Sequence, residues 1–428
     1  MSAIAYAPPE LDIFSHPRIQ NVILGSHVTA LKPTCGIQHP LSTIEFFSSG
    51  SNDYYHDFSH VYLRLKVQLR ADDGGNLILD NGVGVVNNLL YSMFQTFEVY
   101  LNEKLITRID HYAYKSYLES LLSRSSDALN THMSSSLFYL DTPAHITSST
   151  DDNAGFKKRK DLLSAGKAVE MYGRLKCDLF DQPLLFPNGI DLRIKLTFAP
   201  ESFFMWFPND VISAKLHVMD ASLYVKQVAI NPGVLMAHAK ILSQTNAHYP
   251  LKRVEMKAFT VSPSGRSLSL NSVCTGKLPS YICFTMVRNI DFNGNFLTNP
   301  FALIHKSVTN LSIFVNADEH RFGPMDFHTR DVHFAFAYHS IFTGSGIGSK
   351  NAGNLITPEF YSHGAWMVCA DLTPDASGNI AHTSIPNNGV LRVEATFGHE
   401  IDVALTCLCL LEYDAVLEVN KERNCFVS

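Results

Sequence analysis

Apolar and polar residues alternate one by one along much of this chain, and a period of two marks half-buried strands. In HVYLRLKVQLR, Val61, Leu63, Leu65, Val67 and Leu69 point one way while Tyr62, Arg64, Lys66, Gln68 and Arg70 point the other. Asp72-Asp73-Gly74-Gly75 then reads as a turn. The alternation returns in Phe97, Val99 and Leu101, in Leu192, Ile194, Leu196 and Phe198, and in Leu391, Val393, Ala395 and Phe397. Many short strands separated by loops of Gly, Pro, Asn and Ser predict an all-β sandwich or jelly-roll. ALTCLCLLEYDAVLEV is apolar at both parities, which predicts a strand covered on both faces. Residues 1–43 carry Pro8, Pro9, Pro17, Pro33 and Pro40, and so predict an extended arm without regular elements.

Helical periods are few. Tyr114, Tyr117, Leu118, Leu121 and Leu122 share one face of a helix that Asp110 is placed to cap. Phe334, Ala337, Tyr338, Ile341 and Phe342 repeat the spacing after Asp331, and Gly344 closes that helix. The two faces match at a constant shift, Tyr114 to Phe334, Leu118 to Tyr338 and Leu122 to Phe342. FEVYLN (97–102) parallels LSIFVN (311–316), each ending in Asn, and NGIDLRIKLTF (188–198) parallels NGVLRVEATF (388–397). Four segments in the same order, at shifts near half the chain length, predict two copies of one fold joined around residues 228–250. Two copies are too few for a solenoid or propeller.

Composition changes this picture little. The 428 residues are 46% apolar and 17% charged, with 28 Phe and 17 Tyr, which suits two β-rich cores and large protein–protein contacts. A net charge of −6 gives no global footprint for nucleic acid. No run of eighteen apolar residues predicts a membrane span, and MSAIAYAPPELDIF lacks the basic-then-apolar order of a secretory signal. The eight cysteines form no CxxC pair and predict reduced, buried thiols, with Cys407 and Cys409 on one strand face.

Candidate chemistry is sparse. His320, His328 and His333 cluster before the second helix but lack the His-x-His plus Glu pattern of a cupin-type metal site. His56 and His60 flank a strand start, where a spacing of four does not converge. These read as surface or interface histidines, and no metal or cofactor is expected. His399-Glu400 lacks the second histidine of a zinc-protease helix. Gly344, Gly346 and Gly348 follow a helix rather than a strand, so they do not cradle a dinucleotide. No nucleophile elbow or P-loop occurs, so no enzyme activity is expected. Lys157, Lys158, Arg159 and Lys160 form the one dense basic run, for which contact with a packaged genome, nuclear import and pairing with Asp151 and Asp152 compete. Tyr54-Tyr55 and Phe203-Phe204-Met205-Trp206 offer rings for stacking on sugars, although clusters of this kind belong more often to cores or subunit contacts.

NNLLYSMFQTFEVYLNEKLI, YKSYLESLLS, NAGFKKRKDLLSAGK, LKCDLFDQPLLFPNGIDLRIKL and ASLYVKQV resemble the first half of the major capsid proteins of Polinton/Maverick elements and adintoviruses. YPLKRVEMKAFTV, NGNFLTNPFALIH, NGVLRVEATF and LLEYDAVLEVNKERN resemble the second half. The resemblance runs from about residue 40 onward and rests on framework motifs. It implies two eight-stranded jelly-rolls, with an arm over 1–43, a first barrel over 44–230 and a second over 231–428. It also implies a homotrimeric, pseudo-hexagonal capsomer of an icosahedral double-stranded DNA virus or virus-like transposon. The implied partners are the chain itself, neighbouring capsomers, a penton single jelly-roll protein and minor capsid proteins, with packaged DNA touched only indirectly. The implied location is the virion capsid, assembled in the host cell. A jelly-roll carbohydrate-binding or attachment protein, a cupin-type enzyme and a domesticated host copy of a capsid gene remain the alternatives.

Overall fold

The computed structural model describes residues 13, 19–71, 82–208, 214–263, 265–327, 333–378 and 384–427. The expected turn at 72–75, the cap Asp331 and His328 lie outside them.

Among the described residues, eight strands build the two main sheets of the first half, beside a short pair Gly84–Val85 and Met205–Trp206: β1 (Ile23–Leu31), β2 (Thr43–Ser48), β3 (Tyr54–Ala71), β4 (Phe94–Leu101), β5 (Lys104–Asp110), β6 (Ala168–Arg174), β7 (Leu192–Phe198) and β8 (Ala214–Ile230). Eight more follow: β9 (Ala247–Val261), β10 (Ser267–Lys277), β11 (Tyr281–Arg288), β12 (Val308–Val315), β13 (Asp318–Phe322), β14 (Met367–Asp371), β15 (Asn388–Phe397) and β16 (Leu405–Val419). The first eight form two four-stranded sheets ordered β1-β8-β3-β6 and β2-β7-β4-β5. The second eight form sheets ordered β9-β16-β11-β14 and β10-β15-β12-β13, which is the same order shifted by eight strands. Every pairing among these sixteen strands is antiparallel. Two facing sheets of this order make a jelly-roll, so the repeat legible in the sequence is a repeat of whole barrels.

The alternation places the cores. Val61, Leu63, Leu65 and Val67 of β3, Ile194 and Leu196 of β7, and Leu391 and Val393 of β15 are buried, while their polar neighbours face outward. The paired Asn residues have a shared cause. Asn102 and Asn316 both take left-handed backbone angles, where Asn is tolerated, at the turn after β4 and after β12. Asn102 donates its N–H to the Asp191 carbonyl at 3.1 Å, and its Oδ1 accepts from the Asp191 N–H at 2.7 Å. Asn316 makes the same two bonds to Val390, at 3.0 and 2.9 Å. Each Asn therefore clamps a turn to the strand next door.

Helix α1 (Tyr112–Ser123) follows β5, α2 (Ala154–Leu163) precedes β6, α3 (Pro232–Leu242) joins the two halves and α4 (Ala335–Gly344) follows β13. The buried face of α1 contains Tyr114, Tyr117, Leu118, Leu121 and Leu122 as expected, and α4 buries Ala337 and Ile341.

Four expectations need correction. The segment 1–43 is not free of regular elements, because the proline-free stretch Ile23–Leu31 pairs with β8 as an edge strand. Asp110 does not cap α1; it ends β5, its carboxylate accepts from Arg108, and His111 in a left-handed conformation takes the cap position without a side-chain bond. The strand beginning at β3 starts at Tyr54, so His56 and His60 lie inside it rather than at its start. In β16 only Leu405–Leu411 is buried at both parities; from Glu412 onward the strand alternates.

Candidate functional site

The basic run falls on α2, and helical geometry splits it. Asn153 caps the helix, its side chain accepting from the Phe156 N–H at 3.2 Å. Arg159 points inward and is wholly buried. Its guanidinium donates to the Val85 carbonyl at 3.0 Å, the Tyr139 carbonyl at 2.6 Å and the Asp141 carboxylate at 2.7 Å. Lys157 and Lys160 reach Asp151 at 3.2 and 2.6 Å. Lys158 lies 5.7 Å from the Tyr139 ring centroid. The four residues thus do not form one basic patch: Arg159 is a structural pin, and Lys157 and Lys158 are the exposed members.

That pin reaches the second half. Asp141 also accepts from Asn299 Nδ2 at 3.2 Å, and Asn299 donates to the Ile146 carbonyl at 2.8 Å. Asn299 itself is held by the Phe301 N–H, 3.0 Å from its Oδ1. Nothing in the residue spacing announces this triad, since its members come from three separate loops and helices.

Around it runs an extensive seam between the halves. Tyr117 stacks on Phe301 at 4.3 Å, and Tyr114 donates to the Pro300 carbonyl at 3.1 Å. Phe186 stacks on Tyr249 at 4.1 Å, and Gln182 donates to the Pro250 carbonyl at 2.7 Å. Arg423 donates to the carbonyl and side chain of Asn188, both at 2.8 Å. Within the seam, Lys115 pairs with Glu119 at 2.6 Å. Burial favours the neutral form of Glu119, but Lys115 and Lys176 outweigh it and hold the carboxyl at about 2. Across from them, burial pushes Glu412 up to about 7, with Lys115 opposing and Glu119 adding to the shift.

The other candidates disperse. His320 lies on β13, and His333 forms a backbone bridge with Asp326. His56 is buried, and burial pushes its imidazole down to about 4. Among the described residues no three His, Cys, Asp or Glu side chains gather to hold a metal ion. Phe203, Phe204, Met205 and Trp206 are core residues, as is Tyr55, so those rings are closed to a sugar. All eight cysteines are free, with Cys35 exposed and the rest buried. No described helix is long and apolar enough to cross a membrane.

No family model matches the chain. The uncharacterized protein F54H12.2 of Caenorhabditis elegans is 21% identical over 395 residues, covering 89% of this chain and 92% of the relative. Among solved structures, a chain of the Sputnik virophage superposes with a TM-score of 0.67 at 12% identity, covering 100% of this chain and 93% of its own. The Faustovirus major capsid protein gives 0.59 at 9% identity, covering 94% and 92%. The chain has the double jelly-roll fold. In this double jelly-roll the two barrels are welded by the seam just described, and the exposed chemistry lies outside it, on α2, on the β1 edge and in a cleft beside β6.

Proposed function

We propose that the chain is a major capsid protein, a structural rather than catalytic molecule, which assembles as a homotrimer into pseudo-hexagonal capsomers of an icosahedral shell. One observation carries this reading: the chain is two barrels of identical strand order and is matched from end to end by double jelly-roll capsid proteins. Three such chains present six similar barrels around one threefold axis, which fills a hexagonal site using one gene product and one repeated interface. Permanent contacts of that kind bury more than about 2,000 Å² and are apolar at the centre. The exposed apolar residues of β1, Leu24 and Val28 among them, offer such a surface.

The finer reading is the Polinton/Maverick–adintovirus type, within a shell that also holds penton and minor capsid proteins. The framework motifs support it, as does a relative of nearly the same length in a nematode, which suits an element resident in animal genomes. That relative equally favours a second reading, a domesticated host copy of the same fold. We further propose that the barrels divide near residue 231, the first beginning at β1, and that any contact of the basic run with genome or import machinery passes through Lys157 and Lys158. The purified chain is expected to run in size-exclusion chromatography with light scattering at three chain masses, and to show hexagonal blocks or particles by electron microscopy. A monomer at every concentration, with no blocks on the grid, overturns the capsid reading.

A further inference from the structure

A cleft of about 450 Å³ opens on the first barrel between β3, β6, the C-terminal end of α1 and the turn at His132–Ser136. It does not belong to the inter-barrel seam, although Glu119 and Lys176 touch both. Its size is that of an ordinary small-molecule pocket. Three cations line it, Arg124, Arg174 and Lys176, together with two carboxylates that already have cationic partners, Glu119 on Lys115 and Asp181 on Arg174. Arg174 is shared with Asp181 and with the Phe180 carbonyl, yet its Nε is buried without a partner. Lys176 donates to Ser120 Oγ and, at 2.8 Å, to the Ser116 carbonyl, and burial pushes its amine down to about 8. Arg124 is exposed and makes no ion pair among the described residues.

Two further features say more than positive charge. Asn88, held in a left-handed conformation and only 1% exposed, is one of the residues lining the cleft; its enclosed Oδ1 has no donor, while its Nδ2 is spent on Ser116. A buried acceptor left open is unfavourable, and a ligand hydroxyl or amide N–H removes that penalty. On the opposite wall the half-exposed Tyr172 ring lies parallel to Tyr62 at 5.1 Å with an interplanar angle of 3°, which fixes a flat apolar platform. Ser135, which also lines the cleft, anchors that platform by sharing its one hydroxyl proton between the Tyr172 carbonyl at 2.8 Å and the His132 carbonyl at 2.7 Å, so towards a ligand it serves as an acceptor. Gly173 is required here, because a Cβ would stand 2.4 Å from the Tyr91 hydroxyl.

We propose that this cleft binds a carboxylate-bearing sugar: the anion on Arg124, Arg174 and Lys176, hydroxyl or amide donors on Asn88 and Ser135, and the apolar ring face on Tyr172. A bare anion leaves Asn88 and the tyrosine platform unused, and a neutral sugar leaves the cations unused. This activity is additional to self-assembly and does not depend on it.

Titration of the intact protein with N-acetylneuraminic acid and glucuronic acid, followed by saturation-transfer NMR and calorimetry, tests the assignment. Dissociation constants of about 1 mM are expected for the acidic sugars, the scale of a small ligand held by few groups, with galactose and acetate at least about tenfold weaker. Arg124→Ala is expected to weaken the acidic sugars at least about tenfold while moving the unfolding temperature little, since the exposed Arg124 side chain makes no ion pair among the described residues and acts on Glu119 only through its charge. Tyr172→Leu is expected to erase saturation transfer to the ring protons. Equal binding of galactose and the acidic sugars, equal binding of acetate, or wild-type affinity in Arg124→Ala each overturns the proposal, whether or not Tyr172→Leu folds.

Discussion

Arg159 sits in a run of four basic residues, yet its guanidinium is fully desolvated and spends its donors on two carbonyls and the buried Asp141. Removing one member of a buried charge pair leaves the other uncompensated, at a cost of about 3–5 kcal/mol. Arg159→Ala is therefore expected to lose that much stability in chemical denaturation, while Lys158→Ala, at an exposed position, changes it by less than about 0.5 kcal/mol. Equal small effects would mean that Arg159 is solvated in solution. The sequence made the run visible and could not divide it. The division depends on where α2 begins and which side faces Tyr139, and both are settled by loops whose spacing carries no period. The Asn pair is the opposite case. Asn102 and Asn316 stood out as repeated letters, and the repetition survives because each must both adopt a left-handed turn and clamp the neighbouring strand.

Strands that bury one face were legible because burial enforces alternation. β3, β7 and β15 fall where the pattern put them, within a few residues. β1 was not, and the reason is physical. It pairs through its backbone with β8 and leaves Leu24 and Val28 exposed, so nothing constrains its side chains to a period of two. A shift of register between Ile23 and Gly25 blurs the pattern further. The clean alternation of β10 and β13 is likewise missing, and both were found only through the sheet order. An edge strand that buries little stabilises little but covers the strand behind it. Deleting residues 1–31 is expected to lower the unfolding temperature by only a few degrees, about 2–4 °C for each kcal/mol lost, while light scattering reports self-association through the uncovered β8 edge. A truncated chain that stays as dispersed as the full one would mean that β8 needs no cover.

The barrels do not behave as beads on a string, because the packed seam runs from Tyr114 and Tyr117 against Pro300 and Phe301 to Phe186 against Tyr249. Such a seam couples the halves, so the described chain is expected to unfold in one cooperative transition. Glu412 then becomes a probe of the whole molecule. Its carboxyl belongs to the second barrel and faces Lys115 and Glu119 of the first, and burial raises it from 4.5 to about 7. The folded state therefore holds a proton that the unfolded state has released between those two values. The contribution is fully present below about 4.5 and is lost as pH rises through about 7, a change on the order of 3 kcal/mol. His56 works in the other direction, because burial lowers it from 6.5 to about 4 and its penalty disappears as pH rises through that range. Glu119, held at about 2, stays ionised throughout and adds no slope. The comparison of Glu412→Gln with the parent removes the shared histidine term. The variant is expected to match the parent near pH 4 and to exceed it near pH 8, with one transition at both. A gain confined to a separate second-barrel transition would uncouple the halves, and an unchanged pH profile would place Glu412 in solvent.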